Sequence, residues 1–475
     1  MLKLLKHIIL LTLLSFSADI AGQNLMYLIE RSEKAVFEIR AYNKHGIATD
    51  TASGFFISAD GMAYTKASIF YNKDSITVIT RNNKHYLIEK IISVNPYADL
   101  ALIKIKQKRQ RGFVFFQPIR EALVPAKDLL IMSHPDGKDK GISVDQIFKT
   151  GSFPFVNRYG LIFSFLGPES YGAPVINSSG FLTGIYCTYN KRNKNIVYSV
   201  ELLNDDNWID INTSKIKHNR DAVILPQLSM GITNLISGNP AEAARSFSKY
   251  LRSHSNSYIV YCLRALARYG YKNPAGASDD LTHANTLNPH GFLAPYVKAL
   301  HFLSLDQNKE ALKYLSRTLD RNPDYVPAKV EHARLEWQLN NNIKEAFDEF
   351  NDIIDTDTLE GKAYYERARL SMQYSSNSRM AYEDINRAIR LDPTLPGAFT
   401  LRGVMKLSNN DYLSAIDDFT KAIDYDPNDV HAFFNRGIAY FNIGMKRSAC
   451  KDWQKSGELG NFSAYRYISR YCSKE

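Results

Sequence analysis

The sequence predicts two folded parts of opposite class: a strand-rich β-barrel or sandwich, then an all-α solenoid of stacked helical pairs. Three observations carry this. From about Ala35 to Leu203 the apolar residues alternate in short runs rich in β-branched and aromatic side chains, the period of half-buried strands. A polar stretch from Asn204 to Arg220 then shows little periodicity. After about Ile224 the period becomes helical, with prolines and small residues recurring at an interval near 34 residues. A chain of 475 residues is too long for one core, so several domains are expected.

At the N-terminus, Lys3 and Lys6 precede an apolar run, Ile8 to Phe16, followed by small and polar residues from Ser17 to Gln23. This layout predicts a secretory signal peptide over residues 1–22. Its apolar part is too short to span a bilayer comfortably, and no cysteine lies near the cleavage point for a lipid anchor. No later segment is apolar enough to cross a membrane, so the mature protein is expected to be exported, periplasmic or secreted, without a transmembrane anchor.

Composition narrows the partners. Hydrophobic residues at 45% and charged residues at 23% suit globular protein and argue against large-scale disorder. The net charge of +10 raises nucleic acid as a partner. The charge is dispersed, however, and its densest run, Lys104 to Arg111, reads as a solvated loop after a strand. No nucleic-acid partner is expected; attachment to an anionic envelope surface stays open, and would be salt-sensitive. Cys187, Cys262, Cys450 and Cys472 lack metal-site spacing, and no phosphate-cradling motif occurs, so no metal or cofactor is expected. Cys450 and Cys472 can meet if the last helix folds back; two buried thiols are the alternative.

Within residues 25–203, strands are expected at Ala35–Ile39, Ser53–Ser58, Ile76–Ile79 and Leu100–Ile105, separated by turns at Asp60-Gly61, Asn95-Pro96 and Asp136-Gly137. Residues 204–223 form the expected linker. From 224 to 463, Pro289 and Pro323 lie 34 residues apart, as do Pro393 and Pro427. In the clearest unit Gly403, Ala415, Phe419, Ala422 and Pro427 occupy small, small, aromatic, small and proline positions; Gly437, Tyr440, Ala449, Trp453 and Ser456 follow. Earlier units carry Gly231/Ala243/Phe247, Ala265/Ala277/Ala284, Ala299/Ala311/Leu315 and Ala368/Ala381/Ala388. The unit with Ala333, Ala346 and Phe350 carries an extra residue between its helices. This resembles the tetratricopeptide (TPR) repeat, whose antiparallel helices need small residues where they cross closely. About seven units are expected, with residues 464–475 as a capping helix or tail.

The front half resembles the HtrA/Deg group of trypsin-like serine proteases. Ser53-Gly-Phe-Phe-Ile-Ser-Ala-Asp-Gly61 matches the family's S-G-F-I-I-S-x-D-G, and Asn95-Pro-Tyr-Ala-Asp-Leu-Ala-Leu-Ile-Lys-Ile105 its D-P-x-T-D-L-A-V-L-K-I. Tyr171-Gly-Ala-Pro-Val-Ile-Asn-Ser-Ser-Gly-Phe-Leu-Thr-Gly-Ile185 matches S-G-G-P-L-V-N-x-x-G-x-V-I-G-I, and Ser133-His-Pro-Asp-Gly137 resembles the G-N-P-F-G turn. The resemblance implies a double β-barrel of two six-stranded barrels. It also implies where a triad would stand, and there the residues depart. The family's T-N-N-H-V-V is here Thr65-Lys-Ala-Ser-Ile-Phe70, so Ser68 stands at the general base. Its G-N-S-G-G-P is Glu169-Ser-Tyr-Gly-Ala-Pro174, which puts Tyr171 at the nucleophile and Glu169 at the oxyanion position. Of the triad only Asp99 is retained. A serine hydroxyl is no general base near neutral pH, and a carboxylate beside a developing anion opposes it. The displaced nucleophile candidate is Ser170, with Ser164, Ser178 and Ser179 nearby; His45, His85 and His134 are the histidines of the mature front half.

The repeat pattern projects Tyr296, Arg334, Trp337, Tyr365, Arg369, His431, Phe434 and Asn442 toward a concave binding groove, although several, Trp337 foremost, also suit packing between helices. The repeats occupy the place where many HtrA-type enzymes carry a PDZ module. The expected function is therefore a non-catalytic exported scaffold or adaptor whose repeat array binds a protein or peptide. An active serine endopeptidase with displaced residues and repeat-recruited substrate is the alternative, and an envelope-surface binding protein a further one. HtrA-type enzymes commonly assemble as trimers, so the resemblance allows a homo-oligomer without locating its contact.

Overall fold

Period-2 runs of Val, Ile and aromatic residues fold here into two antiparallel sheets. The computed structural model describes residues 22–71, 73–106, 112–125, 127–133, 141–153, 157–164, 166–187, 194–204, 207–210, 226–374 and 378–472. The expected signal peptide (1–22) lies outside them except for Gly22, as does His134. The chain divides into two units, Met1–Val297 and Lys298–Glu475. Among the described residues no helix is long and apolar enough to cross a membrane.

In the first unit, helix α1 (Gly22–Ser32) leads into β1 (Val36–Tyr42), β2 (Ala48–Phe56), β3 (Met62–Lys66), β4 (Ser75–Thr80), β5 (His85–Tyr86), β6 (Ile88–Asn95) and β7 (Leu100–Ile105). With the short β14 (Ile209–Asp210) they form an eight-stranded sheet in the order β14-β6-β7-β3-β2-β1-β4-β5. The second sheet, β8 (Asp128–Met132), β9 (Ile142–Phe153), β10 (Asn157–Phe163), β11 (Ala173–Ile176), β12 (Leu182–Cys187) and β13 (Lys194–Ser199), closes into a barrel ordered β10-β13-β12-β11-β8-β9. The expected pair of six-stranded barrels is thus one closed barrel and one eight-stranded sheet, lengthened by two-residue strands at its edges.

Burial follows the alternation. On β7, Ala101, Ile103 and Ile105 point into one core with Phe37, Ile39 and Val78. Leu100 points to the opposite side, into the core shared with Tyr64, Ile185 and Tyr198. Both faces are apolar because the sheet is covered on both sides. The expected linker needs correction at its start. Ile209 and Asp210 pair with Val94 and Ser93, and the Trp208 indole donates to the Leu202 carbonyl at 2.7 Å. Tryptophan supplies the apolar area that ties this polar stretch to the sheet.

Helices then alternate to the C-terminus: α2 (Pro226–Ile236), α3 (Pro240–Leu251), α4 (Tyr258–Gly270), α5 (Pro274–Leu287), α6 (Leu293–Leu303), α7 (Asn308–Leu319), α8 (Val326–Asn340), α9 (Ile343–Thr356), α10 (Gly361–Tyr374), α11 (Ser378–Leu391), α12 (Ala398–Ser408), α13 (Tyr412–Tyr425), α14 (Val430–Asn442), α15 (Lys446–Glu458) and α16 (Phe462–Tyr471). Starts are set by Pro240 and Pro274 in the first turn, and by Asp411 and Asp429 accepting from the amides of Ser414 and Ala432. Gly403 and Gly437 show why small residues recur. A Cβ at either would lie 2.6 or 2.5 Å from the ring of Phe419 or Trp453. Cys450 on α15 is joined to Cys472 after α16 by a disulfide.

A polar ladder runs through the helices. Arg264, Arg402 and Arg436 each grip an aspartate 16 residues on, Asp280, Asp418 and Asp452, and reach 16 residues back to Ser248, Asn386 and Thr420. Arg367 does the same with Asp384 and Asn351, its acid 17 residues on. Lys298 stands at the equivalent step over the Tyr314 ring. At the next step His332 replaces arginine, with Glu349 at 3.4 Å and Ser316 at 3.2 Å.

Two outcomes are expected. Burial pulls the His332 pKa down, but Glu349, with Glu336 and Asp320 behind it, more than offsets this and holds it above its ordinary value. The stabilisation from charged His332 is present in full below that ordinary value and is lost as pH rises through the folded one. His332→Gln is therefore expected to cost about 1 kcal/mol in mildly acidic buffer and well under half of that at alkaline pH, measured by urea melts. Cys472→Ser opens a loop of sequence separation 22 and is expected to lower stability by about 3 kcal/mol. Fluorescence of the buried Trp453, which packs against Tyr467 and Tyr471, reads that loss.

Candidate functional site

The Asn95–Leu100 turn builds the floor of the site. The Asn95 side chain accepts from the amides of Tyr97 and Ala98, curling the chain so that Asp99 adopts a left-handed conformation with φ 54°. Asp99 is 3% exposed. Its carbonyl accepts from the Ala67 amide, which fixes the neighbouring segment. Immediately after it, the short 3-10 turn Ser68–Phe70 begins. The Asp99 carboxylate receives the Ser68 amide at 2.6 Å on one oxygen and the Ser68 hydroxyl at 2.7 Å on the other.

Tyr171 reaches this floor from the second sheet. Its phenol donates to the Ala98 carbonyl at 2.8 Å, and the Lys66 ammonium lies 5.7 Å from its ring centre. Ser53 clamps the same seam, its amide donating to the Tyr171 carbonyl and its hydroxyl to that of Glu169. The 3-10 turn Pro168–Ser170 precedes Tyr171. Within it, the Ser170 amide donates to Gly167 and the Tyr171 amide to Pro168, at 3.0 and 3.2 Å. Gly172 follows at φ +87°. A Cβ there would lie 2.6 Å from the Ser53 carbonyl, so only glycine lets the two sheets approach so closely.

The three positions singled out from the sequence, Ser68, Asp99 and Tyr171, thus meet and line one cavity of about 940 Å³. Glu169 is exposed, and its carboxylate lies over Gly167 instead of the floor. Ser170 is 1% exposed and does not reach the cavity surface. Ser164 is buried beside the Asn195 amide, and Ser178 and Ser179 are exposed on a turn. His45 and His85 are exposed and do not line the cavity. Among the described residues no cluster of His, Cys, Asp or Glu is arranged to hold a metal ion.

Electrostatics follow from burial. Desolvation raises the Asp99 carboxyl from its ordinary 3.8 to about 6, despite the opposing pull of Lys66 and of the Ser68 hydrogen bonds. Burial also lifts the Tyr171 phenol well above its usual range, with Cys187 and Asp99 adding to it. At neutral pH the floor holds one buried carboxylate and two hydroxyls, with the Lys66 ammonium above the Tyr171 ring.

The projected groove residues divide. Tyr296 and Trp337 are 8% and 5% exposed, which corrects the groove reading of both in favour of the packing between helices that Trp337 foremost also suited. Phe434 packs edge-on against Tyr467. Arg369 lies over the rings of Trp337 and Tyr365 and pairs with Glu366, while Arg334 pairs with Glu331. His431 and Asn442 are exposed. Sequence reasoning missed Lys66, the Ala98 carbonyl and the helical residues that reach the cavity, because each acts through neighbours distant in the chain.

Asp99 makes a pH test possible. The unfolded chain releases its proton near 3.8 and the folded one only near 6, so stability falls as pH rises across that window, by up to about 3 kcal/mol. Asp99→Asn stays neutral throughout. Denaturant melts should show wild type losing ground to this variant between pH 4 and 6, by roughly 1–3 kcal/mol; a constant difference would contradict the assignment.

Comparison with known proteins places this site within a protease-like region. Residues 52–185 match the trypsin-like peptidase domain. A stretch of 152 residues is 28% identical to a probable periplasmic serine endoprotease DegP-like of Marinomonas sp. (strain MWYL1), covering 31% of this chain and 32% of that one. Serine protease HTRA1A of Danio rerio is 36% identical over 83 residues, and serine protease HTRA1 of Xenopus laevis 37% over 73, covering 16% and 15% of this chain and 17% and 16% of theirs. The chain thus spans about a third of the first relative's length and under a fifth of the others. The active form of the Rv3671c protease from M. tuberculosis aligns at 18% identity and TM-score 0.32 over 37% of this chain and 81% of that one. Residues 52–185 are thus similar to trypsin-like, HtrA-type serine proteases, and a helical region follows them.

Proposed function

We propose that this chain is an exported, non-catalytic scaffold or adaptor in which a pseudoprotease domain is joined to a TPR array that binds protein or peptide partners. The observation that carries the reading is the double hydrogen bond of Asp99 to Ser68. Both carboxylate oxygens are held by the residue that stands where the resemblance puts the base. A serine triad needs an imidazole there to accept the nucleophile's proton and return it to the leaving group. The Ser68 hydroxyl, donating to a carboxylate, has no such capacity near neutral pH.

The remaining machinery points the same way. The Tyr171 phenol is engaged with the Ala98 carbonyl, and its pKa is raised, so it is a poor nucleophile. An oxyanion hole needs backbone amides free to meet the developing charge, yet the Tyr171 amide already donates to Pro168. Buried Ser170 offers no accessible hydroxyl in exchange. Loss of base and nucleophile together removes most of a triad's rate enhancement, because the group acts as a unit.

The paired helices, with glycine or alanine at their close crossings, support the TPR reading of the second half. The Cys450–Cys472 bond suits an oxidising compartment, and one relative is described as periplasmic; both support export.

Purified protein lacking residues 1–22 is expected to leave unfolded casein intact and to take no label from a fluorophosphonate probe. The double variant Ser68→His, Tyr171→Ser is expected to stay at least about 100-fold below an active homologue of the same fold, because the turn at Pro168 still holds the amide at 171. Casein turnover with label on Ser170, both abolished by Ser170→Ala, would overturn the proposal.

A further inference from the structure

The cavity above Ser68, Asp99 and Tyr171 is roofed by α2 and α3 and by the end of α4, all within the first unit. Its charge is uneven. Lys66, Lys73, Arg245, Lys249, Arg252 and Arg268 line it against three carboxylates, Asp50, Asp99 and Glu242. Each acid already has a neighbour: Asp50 faces Lys66, Glu242 bonds Arg245, and Asp99 holds Ser68. Arg268 is engaged by Asp280 outside the cavity lining. Three cations remain. Lys73, from the β-domain wall, bonds among the described residues only the neutral Thr49 hydroxyl. Lys249 and Arg252, on the last turn of α3, have no acidic partner among the described residues. The carbonyl end of α3 favours positive charge on its own turn, but it does not account for Lys73 on the other wall.

The rim is also apolar where solvent is expected. Met230, Tyr71 and Tyr271 line the cavity at 52%, 42% and 37% exposure. Met230 is the more telling because of its register. It lies 34 residues before Arg264, at the ladder step that elsewhere carries Arg264, Lys298, His332, Arg367, Arg402 and Arg436. The first helical pair therefore breaks the polar ladder and turns an unbranched apolar side chain into the cavity instead.

We infer that this cavity binds a short peptide segment that carries acidic side chains beside an aromatic or aliphatic one. Unpaired cations on opposite walls select carboxylates from both sides, and the three exposed apolar side chains supply the contact area that gives such a segment residence. The volume of about 940 Å³ suits several residues of chain; an inorganic anion would leave most of it filled with water and the apolar rim uncovered. This assignment rests on reading the site as a non-cutting surface, since a bound segment would lie against Ser68 and Tyr171.

The test uses the full chain without residues 1–22 and a fluorescein-labelled Glu-Glu-Phe-Glu-Leu-Glu peptide, followed by anisotropy at low and high salt. Binding that weakens with salt is expected, as is a loss of about 10-fold or more on combining Lys249→Glu with Arg252→Glu. Both side chains are exposed, and circular dichroism confirms that the variant is folded. Met230→Ala is expected to weaken binding several-fold without changing the salt dependence. The assignment is overturned if the Lys-for-Glu peptide binds as tightly, or if the double variant binds unchanged. It is equally overturned if inorganic phosphate or a single-stranded oligonucleotide displaces the peptide at lower concentration than unlabelled peptide does. Mass spectrometry of the recovered peptide separates the two readings. Cleavage after binding would refute the non-catalytic function while leaving the ligand class standing; intact, unbound peptide would refute the ligand class alone.

Discussion

The carboxylate of Asp99 is the constraint on which the first unit turns. It is an acid removed from water in a left-handed turn, and such a group is tolerated only when its oxygens are satisfied. Ser68 satisfies both, with amide and hydroxyl from one residue. The next residue back, Ala98, offers the carbonyl that anchors Tyr171 from the second sheet. One turn therefore sets the acid, the residue facing it and the seam between the sheets. A histidine in the place of Ser68 would also meet the carboxylate, but it would extend into the cleft. Serine ends at the acid and leaves the space above it open.

That space explains the character of the site. A serine at 68 and a large phenol at 171, where the resemblance places base and nucleophile, shape the site as well as its chemistry. The Tyr171 ring packs across the seam beneath Lys66, so the seam gains a bulky, well-held residue at its centre. The 3-10 turn before it is closed by its own amides. The result is a floor whose polar groups are hydrogen-bonded, beneath a wall and roof lined by more cations than carboxylates.

In the helical region the corresponding constraint is the ladder of arginine–aspartate pairs. Each aspartate is nearly buried, so removing its arginine would strand a charge in apolar surroundings. The third contact of each arginine reaches the preceding helical pair, which couples successive pairs as well as the two helices of one pair. Regular packing would follow from small residues alone; the ladder adds register, since each guanidinium meets an acid 16 or 17 residues on. Where α8 lengthens to 15 residues, the offset from His332 to Glu349 becomes 17; between α10 and α11 the offset from Arg367 to Asp384 is also 17. The ladder absorbs the insertion without breaking.

Much of this was legible in the chain. Leu100–Ile105 reads as a strand and is one, because alternation with both faces apolar leaves no other way to bury its side chains. The helical pairs follow from small residues at close crossings, and Ser68, Asp99 and Tyr171 follow from short motifs whose spacing is local. The misread elements all depend on distant partners. Trp208 turns the start of a polar linker into part of the sheet, and Tyr296 faces inward, as Trp337 does in keeping with the packing its sequence position also suited, because neighbouring helices offer a better place for a large ring than water does. The closing of one sheet but not the other depends on how strand ends meet, which no local period encodes. Sequence alone thus determined the two classes of structure, the order of their elements and the identity of the residues where the resemblance places a triad, since propensity, period and motif are properties of neighbouring residues. Only the tertiary structure decided that the amide at 171 is already engaged, that the Asp99 carboxyl is raised, and that cations from three separate segments face one cavity. Those are matters of burial and distance between residues far apart in the chain, and they exist only once the backbone has brought them together.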